Sequence, residues 1–173
     1  PDTRPQLIRH LRRHFVDTPW AQRSVLPLGK YDDDGNLVDV PDTANFEKWI
    51  ERWPDARNYY VFMAFRDTFA RFKMGTPPFK NAVANWITWW VDKLRTWDIE
   101  PEQLGLLLVD EPYDEEKSRT IIEYAKVIQA AEPRVVVWED PTWRQPWKAP
   151  PELFTLSDTL CPNLPMWIAG GTR

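Results

Sequence analysis

Residues 109–112 read Val-Asp-Glu-Pro, and the adjacent carboxylates Asp110 and Glu111 close an apolar run over 104–109. Two acids at the end of a buried strand repel each other and lose hydration, so one of them is expected to keep a proton near neutral pH. A protonated acid beside an ionised one is the pairing that glycosidic bond cleavage uses. Successive strand residues point to opposite faces, so both acids reach one site only where the strand ends or twists. Pro112 cannot continue a central ladder and is expected to hold Glu111 extended. A structural alternative stands beside this reading. In it Asp110 and Glu111 begin a helix N-terminus that Asp114, Glu115 and Glu116 continue.

Helices and strands must position such a pair. The clearest helix lies within 79–97, where Val83, Trp86, Ile87, Trp90, Val91 and Leu94 form one apolar stripe. A shorter helix over 43–53 turns Phe46, Trp49, Ile50 and Trp53 inward, with Asp42 or Thr43 as N-cap and Pro54 beyond its end. A third runs over 114–131 with an acidic first turn, which suits the positive end of a helix. Residues 5–14 and 150–157 are further candidates. Between the helices lie the apolar runs 59–65, 104–109 and 134–138, with weaker runs at 14–17 and 159–162. The three clear runs are continuously apolar, as parallel strands covered on both faces are.

The expected fold class is therefore α/β with a parallel sheet. A (β/α) barrel and an open doubly wound sheet both fit, but no G-x-G-x-x-G follows a strand, which disfavours a dinucleotide fold. Aromatic residues at the strand ends favour the TIM-barrel type. A full barrel takes about 250 residues. This chain of 173 residues yields about five strands, so the expectation is a single domain, 1–173, forming part of an eight-stranded barrel. Missing barrel segments or self-association would then cover its open edges.

Functional residues in such folds lie at the carboxyl ends of strands. The loops there are RDTFARFKMGTPP, DEPYDEE and EDPTWRQPWKAPP. Trp20, Trp138, Trp143 and Trp167 are candidate sugar platforms, since a pyranose face stacks on indole, although each alone is more often core packing. Arg66, Asp67, Asp140 and Asn163 are candidate partners for sugar hydroxyls, and Glu139 is a candidate second acid on a neighbouring strand.

Composition narrows the classes. The net charge is −4 and no basic face is evident, which disfavours a nucleic-acid partner. The cluster of Arg9, Arg12 and Arg13 is read as a solvated helix face. No stretch approaches the roughly 20 apolar residues of a membrane span. Cys161 is the one cysteine, so no internal disulfide forms, and with only two histidines no zinc site is expected. The acidic stretch 31–40 lacks the twelfth-position Glu of an EF-hand and is read as a turn. No metal or other cofactor is expected. No signal peptide opens the chain, which starts at Pro1 and is read as trimmed or processed there. A periplasmic or secreted parent protein is the expectation.

The strand ending V-D-E-P, followed by an amphipathic helix, resembles the catalytic strand of glycoside hydrolase family 123 and related uncharacterised bacterial barrel domains. The pieces W-E-D-P-T-W and L-C-P-N-L-P-M-W are also similar, and the resemblance runs from about residue 14 to 168. It implies substrate-assisted, retaining hydrolysis of an N-acetylhexosaminide, N-acetylgalactosaminidase-like, with carbohydrate as the substrate. Asp110 would orient and stabilise the 2-acetamido group as it attacks the anomeric carbon. Glu111 would protonate the leaving oxygen and then activate water. Family members are larger and carry flanking β-domains. A second mechanism pairs Glu111 as acid with another carboxylate as nucleophile, as in the large clan of retaining barrels. Those enzymes show Asn-Glu-Pro at this strand, and Asp110 speaks against them. The rivals from other classes are a non-catalytic carbohydrate-binding or scaffold barrel and an inactive fragment.

Overall fold

The computed structural model describes residues 3–171. Five parallel strands form the main sheet: β1 (Trp20–Gln22), β2 (Tyr59–Phe62), β3 (Leu104–Leu107), β4 (Val136–Glu139) and β5 (Thr159–Leu160). They lie in chain order, β1-β2-β3-β4-β5, with every neighbouring pair parallel. The helices are α1 (Arg4–Arg13), α2 (Ala44–Arg52), α3 (Pro77–Arg95), α4 (Glu115–Ala131), α5 (Pro151–Thr155) and α6 (Leu164–Gly171). The adjacency and parallel sense expected for the three apolar runs are thus present.

The helices form where the sequence supplies both an apolar stripe and a start signal. The stripe of α3 is buried along its whole length, from Val83 to Leu94. Pro77 and Pro78 open the helix, where their missing N–H groups cost nothing, and the Thr76 hydroxyl accepts from Phe79 N–H. In α4 the cap is Asp114, whose Oδ1 accepts from Lys117 N–H at 2.8 Å. Asp110 and Glu111 lie outside this cap, so the helix-start alternative does not account for them. The α2 cap departs from the usual form. Asp42 accepts from Ala44 N–H, while the Thr43 hydroxyl donates to Glu47 Oε1.

One correction concerns the first strand. Residues 14–17 are not strand: Phe15 takes φ 63° just past α1, and it and Val16 are exposed. Parallel pairing with β2 begins only where Tyr60 N–H reaches Pro19 O. Local apolar character failed to predict the strand because those two side chains have no layer to pack on. The acidic stretch 31–40 is a β-hairpin turn, as read. Its Asp32 carboxylate accepts from Asp34 N–H, Asn36 N–H and Asn36 Nδ2, and these bonds hold its pKa below the ordinary value.

The main core lies on one face of the sheet. Phe46 and Trp49 of α2, the α3 stripe, Ile121, Tyr124 and Ile128 of α4 and Leu153 of α5 share one cluster with Tyr59, Val61, Leu104, Leu106 and Val137. Alternation turns Tyr60, Phe62, Leu107 and Trp138 to the opposite face. Leu107 and Trp138 are buried yet fall outside the main cluster. There Tyr60 stacks on Trp138 with ring centres 5.6 Å apart, and Trp20 meets Trp138 edge-on at 4.8 Å. Gly105 makes this layer possible, because a Cβ at that position would come within 2.4 Å of the Tyr60 ring. The second face is therefore an aromatic layer, half-open to solvent, with Trp20 55% exposed. Continuous apolar runs suggested cover on both faces; among the described residues helices α2–α5 pack on the main-core face, and aromatic side chains line the other.

Candidate active site

The strand β3 ends at Leu107, three residues before the acidic pair, so strict alternation no longer governs Asp110 and Glu111. Both side chains are exposed. Glu111 is not extended, as its place before Pro112 led us to expect, but takes φ 45°. This left-handed conformation is unfavourable for a residue with a Cβ and persists only when neighbours hold it. Here they do. Glu111 N–H donates to Asp140 Oδ1 at 2.9 Å, and Lys117 Nζ donates to the Asp110 and Glu111 carbonyls at 2.7 and 3.2 Å. Thr142 N–H then donates to Pro112 O. The loops after β3 and β4 are thus stitched together directly beneath the pair.

The turn directs the two acids into different clefts. Asp110 lines a cleft of about 490 Å3 with Arg66, Asp67 and Lys117. Glu111 lines one of about 720 Å3 with Trp143, Arg144, Lys148 and Asn163. Tyr113 is a wall of both. These volumes fall in the range of small-molecule sites.

The loss of hydration expected for the pair falls on the next strand instead. Glu139 is fully buried. Its Oε1 accepts from Leu108 N–H at 3.1 Å, and its Oε2 has no hydrogen-bond partner. Burial pushes the Glu139 pKa well above its ordinary value, and the neighbouring Asp140 and Asp110 carboxylates add to the rise. Asp140 is raised as well, again first by burial and then by Asp110 and Glu111, against the lowering bond from Glu111 N–H. Of these carboxyls Glu139 is the one that burial biases most strongly toward its protonated form. Its one hydrogen bond ties it to the backbone just past β3.

This makes a pH-dependent stability prediction. A carboxyl whose native pKa is raised binds more protons in the folded state than in the unfolded state. Its contribution is complete below the unfolded value near 4.5 and is lost as pH rises through the native pKa. Denaturation midpoints of the wild type should fall as pH rises above that value. Glu139→Gln keeps an acceptor for Leu108 N–H and cannot ionise, so its midpoint should fall less over the same span. Parallel curves for the two proteins would contradict a raised Glu139 pKa.

Of the other residues singled out from sequence, Arg66 and Asp67 join Asp110, while Trp143 and Asn163 join Glu111. Asp140 is bonded to the Glu111 backbone. Trp143 is buried and donates from Nε1 to Ser118 Oγ at 3.2 Å, so it is a packed wall of the cleft, not a free platform. Asn163 also caps α6 by accepting from Met166 N–H. Trp20 and Trp138 belong to the aromatic face, and Trp167 is exposed on α6; none of the three lines either cleft. Sequence reasoning missed Tyr113, Lys117, Arg144 and Lys148. Lys117 was recoverable in principle, since it follows the Asp114 cap by three residues and so points back along the helix toward the pair.

Among the described residues no helix is long and apolar enough to cross a membrane, and no group of three or more His, Cys, Asp or Glu side chains is placed to hold a metal ion. No family model matches the chain, and no curated protein matches it.

Proposed function

We propose that the chain carries the catalytic face of a (β/α) barrel-type glycoside hydrolase that cleaves N-acetylhexosaminides with assistance from the substrate's own acetamido group. The observation that carries this reading is the adjacent pair Asp110–Glu111, displayed past the end of the central parallel strand and held in a left-handed turn by Asp140 and Lys117. Left-handed backbone held by neighbours clusters at active sites and ligand clamps, which supports a functional reading of this turn. Five parallel strands in chain order, with helices on one face, support barrel-type winding over the doubly wound alternative, whose order reverses at a switch point.

In this reading the hexosamine lies across Tyr113. Asp110, on one side, orients the acetamido group and stabilises the positive charge that develops as its carbonyl oxygen attacks the anomeric carbon. Glu111, on the other side, gives its proton to the leaving oxygen and then takes one from the water that opens the cyclised intermediate. Proton and bond balance close without a protein nucleophile. That agrees with the burial of Glu139, which leaves the neighbouring strand's acid unable to attack a sugar. Hydration of both exposed carboxylates must be displaced by the substrate, which strengthens their interactions once it is bound.

A thiazoline mimic of the cyclised intermediate tests the reading. It is expected to bind at least a hundredfold more tightly than the parent N-acetylhexosamine, the lower range for transition-state analogues, and Asp110→Asn is expected to remove that advantage. Equal affinity of mimic and parent sugar, measured by calorimetry, would contradict it. The exposure of both acids also favours a second reading, a carbohydrate-binding domain without turnover, for which the mimic and the parent sugar bind alike.

A further inference from the structure

The two clefts on either side of Tyr113 differ in charge. The Asp110 cleft carries four carboxylates, Asp67, Asp110, Asp114 and Glu116, against two cations, Arg66 and Lys117. Lys117 is already committed to the carbonyls of the turn. The Glu111 cleft reverses this balance, with Arg144 and Lys148 against Glu111 as its one carboxylate. Among the described residues neither Arg144 nor Lys148 has an ion-pair partner. In a chain of net charge −4, this pairing of free cations beside the proton donor is an electrostatic asymmetry that a neutral ligand does not require.

The direction of the reaction gives the asymmetry a meaning, and here the inference rests on the roles proposed for Asp110 and Glu111. The acid that protonates the leaving oxygen faces the leaving group. The sugar that departs therefore occupies the Glu111 cleft, while the hexosamine that is attacked occupies the Asp110 side. We infer that the Glu111 cleft is a leaving-group subsite for an anionic sugar residue, a uronic acid or a sulfated hexose, held by Arg144 and Lys148. Trp143 supplies the apolar wall, and Thr142 and Asn163 supply polar groups at the rim. Arginine suits either anion because its planar fork binds two oxygens at once, and lysine adds a point charge. The cleft volume of about 720 Å3 accommodates one substituted pyranose with its water.

Three disaccharides test this. Each has the same non-reducing N-acetylhexosamine and linkage, followed by a neutral hexose, the corresponding uronic acid, or the 6-sulfated hexose. The expected kcat/KM ratio of an anionic to the neutral substrate is about tenfold to a hundredfold, the range for hydrogen bonds to charged groups. The ratio should shrink as salt is raised. In the Arg144→Ala/Lys148→Ala variant it should fall to about one. Whichever of uronate and sulfate shows the larger ratio identifies the anion. A ratio near one in the wild type, or a ratio that survives the double variant, overturns the subsite.

Binding separates this failure from failure of the proposed hydrolysis. Methyl glycosides of the same three leaving sugars are titrated against the protein, with the Trp143 indole N–H as the magnetic resonance reporter. Selective, salt-sensitive shifts with the anionic glycosides and no turnover of any disaccharide would retain the subsite and remove the hydrolase. Turnover of the neutral disaccharide with no anionic preference would do the reverse. Indifference in both measurements would overturn both.

Discussion

Glu111→Gln is expected to reduce turnover of an aryl N-acetylhexosaminide by about 10²–10⁴-fold, the usual worth of a positioned general acid. The amide keeps the size and the exposed placement of the side chain, and the backbone bond to Asp140 comes from the Glu111 N–H, which the change leaves in place. Substrate affinity should therefore change much less than kcat. An aryl leaving group with a low pKa should lose less than one with a high pKa, since it needs the proton less. In the proposed mechanism Asp110→Asn removes the charge that supports the cyclising acetamido group, and it should cost a comparable factor for every leaving group. The two variants are thus distinguishable by leaving-group dependence. Normal turnover of folded Glu111→Gln protein would remove Glu111 from the chemistry, and loss of stability without loss of activity would return the pair to a structural role.

Trp86→Ala is expected to cost about 3–5 kcal/mol of stability, the range for a buried tryptophan. The ring is fully buried, with Phe65 and Phe69 each 5.8 Å away between ring centres, and its Nε1 donates to Pro27 O at 3.1 Å. Truncation removes the packing and deletes one of the two indole donors, those of Trp86 and Trp90, from which Pro27 O accepts. The loss is a large fraction of the roughly 5–15 kcal/mol that holds a domain together. Phe65, three residues past the end of β2, lines the Asp110 cleft beside Arg66, so the same change should loosen that cleft. Urea denaturation should show a lower midpoint with little change in slope. A loss under about 1 kcal/mol would mean that the α3 stripe does not carry the core.

The helices and central strands were legible because burial leaves periodic marks. The α3 stripe and the apolar runs at 59–65, 104–109 and 134–138 each need one packed layer, and the layer is present. β1 was misplaced because its residues are not marked by burial. Trp20 is mostly exposed and only pairing with Tyr60 makes it strand. At the candidate site, the location of Asp110 and Glu111 at a strand end was readable, but the conformation of Glu111 was not. Pro112 argued for an extended residue, and the bond to Asp140, distant in sequence, with those from Lys117 in the first turn of α4, decides otherwise. The same holds for the raised carboxyl. Sequence adjacency pointed to the VDEP pair, whereas burial, a property of the assembled sheet, selects Glu139. Arg144 and Lys148 carry no pattern of their own, and only the loop after β4 brings them to Glu111.

The central claim is that the acetamido group of the substrate is the nucleophile and that Asp110 serves it. The most direct measurement compares kcat/KM for matched aryl hexosaminides whose 2-acetamido methyl carries zero, one, two or three fluorines. Fluorine withdraws electrons from the carbonyl oxygen while barely changing its position. With the wild-type protein the rate is expected to fall steeply and continuously across the series, because the attacking oxygen weakens at each step. A flat series with ongoing turnover would mean that a protein group or water attacks the anomeric carbon, and the assignment of Asp110 would be wrong.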